Sequence, residues 1–130
     1  PTLQAIGNAK VALATPEGEL NPLNIMMAAL LCAESKKRFF YLSTNLSAQS
    51  LADSVNAVET RAVLLGVNNE DHLKENLHKY LDKLSMLLDT QTEIWLLGSV
   101  NQQEGLLNAG QKVKVFNSIS ELEQSLKHLS

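Results

Sequence analysis

A chain of 130 residues is long enough for one domain with a real core, and its 45% apolar and 19% charged residues fit a globular protein. A net charge of −3 leaves no basic footprint for nucleic acid or an anionic membrane surface, and no run approaches the roughly 18 apolar residues of a membrane span. The single cysteine, Cys32, excludes an internal disulfide and points to a reducing, cytoplasmic setting.

Residues 1–9 have no apolar region of a secretory signal and read as a linker remnant, with 10–130 as a single domain. Pro1 in place of Met predicts a fragment or processed product, so DNA contact would belong to an absent N-terminal domain. Lys10-Val11-Ala12-Leu13-Ala14 is a short apolar run, read as a strand that breaks at Thr15-Pro16. Asn21-Pro22 predicts an N-cap followed by proline at the first helical position. The helix over 23–34 is apolar nearly all round, which predicts deep burial, Met26 and Met27 included.

Arg38-Phe39-Phe40-Tyr41-Leu42 has strand content, and Ser43-Thr44-Asn45 reads as a turn. Ser47 caps a helix over 48–58, and Ala62-Val63-Leu64-Leu65-Gly66-Val67 is the run expected of a strand covered on both faces. A long helix over 70–88 carries Leu73, Leu77, Tyr80, Leu81, Leu84 and Leu88 on its inner stripe. A strand over 93–97, ending at Gly98-Ser99, is followed by a short helix over 102–109 with Gly110 as its C-terminal stop. Residues 112–116 form the last strand, and Ser120 with Glu123 predicts a capping box for the last helix.

Strict strand–helix alternation predicts a flavodoxin-like, doubly wound, five-stranded parallel sheet of order 2-1-3-4-5 in three α/β/α layers. Its crevice lies beyond the C-terminal ends of strands one and three, under residues 15–24 and 66–70. A flavin phosphate is a poor fit there, because Glu17 and Glu19 would repel it. A phosphate-accepting receiver is also poor, since strand three ends Gly66-Val67-Asn68-Asn69 without a carboxylate. A GxGxxG dinucleotide fingerprint is absent. No Ser-His-Asp or Cys-His set falls at strand ends, so the chain reads as a non-enzyme.

Glu19-Leu20-Asn21-Pro22-Leu23-Asn24 occupies the place of Asp-x-His-x-x-Gly in the cobalamin-binding (B12-binding) domain family, which the chain resembles. The resemblance sets Glu19 at the acid, Asn21 at the cobalt-ligating histidine and Asn24 at the glycine. It also sets Gly66 and Asn68 at a Ser-x-Leu pair and Gly98-Ser99 at a Gly-Gly pair, where small residues admit the cofactor's nucleotide tail. Ala14-Thr15-Pro16-Glu17-Gly18-Glu19, Met26-Met27-Ala28-Ala29-Leu30-Leu31 and Phe40-Tyr41-Leu42-Ser43-Thr44-Asn45-Leu46 look like the C-terminal sensory domain of MerR-type regulators that respond to cobalamin or light.

A carboxamide is a poor ligand for cobalt or haem iron, so the histidine-ligated mode is expected to be lost. The resemblance then implies no cofactor, or cobalamin held with its own base attached. It places small-molecule contacts at Thr15, Gly18, Glu19, Asn21, Asn24, Ser43, Gly66, Asn68, Gly98 and Ser99. The alternatives are a corrinoid carrier of a methyltransferase or mutase, and a sensor of haem or another small molecule; the module is a possible homo-oligomer. His72, His78 and His128 read as solvated helix residues, Cys32 as a buried hydrophobe, Trp95 as core, and Glu17 and Glu19 as exposed loop charges.

Overall fold

The computed structural model describes residues 11–17, 19, 22–58, 60–67, 70–98 and 113–129, without the side chains of 70–76. The elements run β1 (Val11–Pro16), α1 (Leu23–Glu34), β2 (Phe39–Leu46), α2 (Ala48–Asn56), β3 (Ala62–Val67), α3 (Glu70–Leu87), β4 (Glu93–Gly98), β5 (Val113–Phe116) and α4 (Ile119–Lys127). All pairings are parallel, in the order β2-β1-β3-β4-β5. This is the flavodoxin-like topology expected from the alternation.

Two cores lie on opposite sheet faces because successive strand residues point opposite ways. On one face Ala12, Ala14, Val63 and Leu65 meet Leu51 and Val55 of α2 and Leu81 and Leu84 of α3. On the other, Val11, Leu13, Leu64 and Trp95 meet Ile25, Leu31 and Cys32 of α1 and Leu122 and Leu126 of α4. Every residue of β1 and β3 is buried, as their continuous apolar sequence requires.

Several boundaries differ from the sequence reading; α2 ends at Asn56 rather than 58. Residues 43–45 are strand, not turn: the Asn45 N–H donates to Thr15 Oγ1 at 2.8 Å, and Pro16 pairs with Leu46. Two register shifts against β1 and a left-handed Asn45 (φ 60°) absorb the irregularity that the polar run signals. By the same extension β1 continues through Thr15 and Pro16 rather than breaking there. Pro22 is the N-cap of α1 and not its first helical residue; its carbonyl accepts from Met26 N at 2.9 Å, and Asn21 lies outside the described residues.

The cap of α4 sits two residues earlier than predicted. Ser118 Oγ accepts from Glu121 N at 3.2 Å, and Glu121 Oε1 accepts from Asn117 N at 3.0 Å. The Ser-x-x-Glu spacing occurs twice here, and the earlier one brings both Leu122 and Leu126 into the core. The predicted helix over 102–109, with Gly110, lies outside the described residues.

The C-terminus of α1 is closed by Lys36 in the left-handed region (φ 59°). Its N–H donates to Ala33 O at 3.2 Å, and Lys37 N–H to Cys32 O at 3.0 Å. These two bonds satisfy carbonyls that the helix end leaves open.

Candidate functional site

The rim beyond β1 and β3 is built from two hydrogen-bonded knots. The first lies over β1 and β2. Thr15 is fully buried; its hydroxyl accepts from Asn45 N–H and donates to Glu19 O at 2.9 Å. The Glu19 N–H donates to Pro16 O at 3.0 Å, so the chain turns back at once after β1. Both roles of the Thr15 hydroxyl are thus used within the fold.

Glu19 is only 4% exposed, which corrects its reading as a solvated loop charge. The turn closed by Thr15 draws the residue inward, while Glu17 stays exposed. Ser43 is exposed on β2, its hydroxyl 3.3 Å from Thr44 O.

The second knot lies where the start of α1 meets the ends of β3 and β4. Asn24 Nδ2 donates to Val67 O at 3.0 Å. A methyl group on Gly66 would stand 3.0 Å from Ile25 N and 3.3 Å from Asn24 Cβ. One on Gly98 (φ 143°) would stand 1.7 Å from Val67 O and 2.9 Å from Asn24 Nδ2. The two glycines therefore leave bare backbone, and the Asn24 side chain lies against it. Asn24, Gly66 and Gly98 come together as the sequence grouped them; Gly18, Asn21, Asn68 and Ser99 lie outside the described residues.

Tyr80 is a rim residue that sequence reasoning placed only in the core stripe. Its hydroxyl donates to Leu46 O at 2.7 Å, fixing the last carbonyl of β2. Burial, and secondarily the charge of Glu17, raise its phenol above the ordinary range. The helical spacing that found Tyr80 could not show that its hydroxyl reaches the strand end.

Elsewhere the remaining candidates resolve simply. Trp95 is 1% exposed, donates Nε1–H to Glu93 Oε1 at 2.8 Å and meets Phe116 edge-to-face at 5.2 Å, as core. At the opposite end of the sheet, a cavity of about 300 Å³ is bordered by Arg61, Glu93, Lys114 and His128, with Lys114 Nζ 3.4 Å from Glu93 Oε1. Cys32 is fully buried, and desolvation pushes its thiol up to about 12. His78 is a partly exposed residue of α3, and His128 is exposed as the C-cap just beyond α4; the side chain of His72 is not described.

Met26 and Met27 are not core: they are 57% and 40% exposed, because α1 buries only Ile25, Ala28, Leu31 and Cys32. Among the described residues, no group of three or more His, Cys, Asp or Glu is placed to hold a metal ion. Nor is any described helix long and apolar enough to cross a membrane.

No protein-family model and no curated protein matches the chain. Among solved structures, it is similar to a cobalamin-binding protein from Desulfitobacterium hafniense DCB-2, with a TM-score of 0.77 and 18% identity over 95% of this chain. The chain spans 60% of that protein's length. The fold is an α/β domain with the architecture seen in that cobalamin-binding protein.

Proposed function

We propose that the chain is a non-catalytic regulatory module: the cytoplasmic sensory domain of a MerR-like transcription regulator, built on a cobalamin-binding type of fold without the histidine-ligated mode. Asn24 carries this reading. Its side chain lies in the space that Gly66 and Gly98 leave between α1 and the ends of β3 and β4. Where the resembled motif has glycine, a carboxamide is bonded to Val67 O, so the residues present do not fit an inserted nucleotide tail. The residue at the ligand position is also a carboxamide, Asn21, a weak donor for cobalt.

The regulator assignment rests on the sequence resemblance through residues 14–19, 26–31 and 40–46. DNA contact then belongs to another part of the regulator. A corrinoid carrier in a methyltransferase or mutase fits less well, because its chemistry depends on the histidine that Asn21 replaces.

The test is incubation with hydroxocobalamin, adenosylcobalamin or haem, gel filtration, and an absorption spectrum of the protein fraction. No co-elution, or co-elution of cobalamin with an unchanged base-attached spectrum, is expected. Co-elution with the spectrum of a displaced lower base overturns the proposal. Asn21→His with Asn24→Gly is expected to gain affinity for hydroxocobalamin, and no gain removes the ancestry on which the reading depends.

A further inference from the structure

The end of the sheet away from the rim gathers the starts of β3, β4 and β5 beside the last turn of α4. Arg61 and Glu93 stand side by side at the starts of β3 and β4, locked by the Glu93 N–H, which donates to Arg61 O at 2.9 Å. Lys114 of β5 is the register partner of Trp95, and the pleat sets Glu93 and Trp95 on one sheet face. These residues and His128, the C-cap of α4, border the cavity of about 300 Å³. That is about ten times a water molecule's share of liquid volume, at the small end of ligand sites, with room for more than a lone ion.

The charge of the wall is positive. Among the described residues that line it, Glu93 is the one carboxylate and Arg61 and Lys114 are full cations, on a chain whose net charge is −3. Glu93 Oε1 accepts from Trp95 Nε1–H at 2.8 Å and lies 3.4 Å from Lys114 Nζ. A guanidinium and an ammonium together bring more N–H donors than the oxygens of one carboxylate can accept. The Lys114 ammonium is held twice, by Glu93 and by the Trp95 ring, whose centroid is 5.8 Å away. Its side chain is half-exposed, so it is positioned and still reachable from solvent. At the end of α4, His128 Nδ1 stands 2.8 Å from Gln124 O. A carbonyl only accepts, so Nδ1 carries a proton, and in the neutral ring Nε2 is an acceptor. Fixed cations beside such an acceptor suit a phosphate group. Its three oxygens and nearly two charges match these donors better than the two oxygens and single charge of a carboxylate.

We propose that this cavity is an anion site that takes the phosphate group of a small phosphorylated molecule on Arg61 and Lys114, with Glu93 positioning the lysine. The site lies at the opposite end of the sheet from the rim and is independent of what the rim takes.

Trp95 is the chain's one tryptophan, so its indole N–H gives a single nuclear magnetic resonance signal at the wall of the site. The protein is titrated with glycerol 3-phosphate, with inorganic phosphate, and with sodium chloride at matched ionic strength. A saturable shift of the indole signal is expected with both phosphates and not with chloride. The melting temperature of wild type is expected to rise with glycerol 3-phosphate, a readout that needs no variant. Arg61→Gln and Lys114→Gln are each expected to weaken binding roughly tenfold or more. Lys127→Gln removes the same charge from an exposed position of α4 outside the lining, and is expected to bind as wild type does. Circular dichroism shows that each variant folds. A drift of the indole signal that matches chloride and does not saturate overturns the proposal. So does binding that Arg61→Gln and Lys114→Gln leave intact, or that Lys127→Gln weakens equally. Saturation by inorganic phosphate and not by glycerol 3-phosphate overturns the assignment to a phosphorylated molecule.

Discussion

Asn24 and Val67, 43 residues apart in sequence, are joined by a 3.0 Å hydrogen bond that ties the first turn of α1 to the last residue of β3. The bond crosses the point in the fold where a ligand would enter between helix and sheet. Asn24→Ala is expected to cost about 1 kcal/mol, a neutral hydrogen bond with one partner removed. Asn24→Asp is expected to cost more, because it turns an acceptor toward the Val67 carbonyl. Urea unfolding of the two variants checks the order.

The neighbouring glycines differ in what they tolerate. Gly98→Ala puts a methyl group on Val67 O in a backbone conformation that side chains rarely adopt, so a loss of roughly 3 kcal/mol or more is expected. Gly66→Ala meets Ile25 N at 3.0 Å and Asn24 Cβ at 3.3 Å, contacts that a small shift of α1 relieves. It is expected to cost about 1 kcal/mol. Equal denaturation midpoints for the two variants would contradict this geometry.

Thr15→Val keeps the shape of a fully buried side chain and deletes its hydroxyl. Two hydrogen bonds are lost, leaving the Asn45 N–H without this acceptor and Glu19 O without this donor. A destabilisation of about 2 kcal/mol is expected. Faster amide exchange should appear at Asn45 and spare α4, as measured by hydrogen exchange.

Cys32 sets a pH limit. Burial raises its pKa from 9.0 to about 12, so the folded chain holds the thiol proton more tightly than the unfolded chain. The sign follows: this stability is fully present below pH 9.0 and is lost as pH rises from there to about 12. Tyr80 acts in the same direction at higher pH. Cys32→Ala should flatten the decline over that window relative to wild type, read as unfolding free energy against pH. At neutral pH the wild-type thiol should react with Ellman's reagent only as fast as the chain opens.

Lys36 occupies a position that glycine adopts without strain. Lys36→Gly is expected to raise stability by about 1 kcal/mol. Thermal unfolding checks it; a lower melting temperature would show that the lysine side chain matters more than its backbone.

Periodicity carried the architecture because β1 and β3, buried on both faces, have no polar residue to blur the pattern until Thr15. Boundaries were less legible. Ser43-Thr44-Asn45 has turn composition but is held in β2 by the Thr15 hydroxyl, 30 residues away from Asn45, a constraint no local window contains. The α4 cap was misplaced because two Ser-x-x-Glu spacings overlap and only burial of Leu122 chooses between them. At the site, the family resemblance grouped Asn24 with Gly66 and Gly98, yet could not say that the amide would fill the space beside them. Met26 and Met27 were read as core because composition gives α1 two apolar faces and cannot tell which one the sheet takes.

The two breaks in register between β1 and β2 bear on how copies of the chain can meet. An open edge strand is a template for another strand, and a flat one invites open-ended growth. Here the edge strand β2 is irregular between Tyr41 and Ser43 and between Ser43 and Leu46, and is twisted by a left-handed Asn45, so its free peptide groups cannot line up in an uninterrupted row. Growth strand upon strand is blocked at the border where the sheet would otherwise extend.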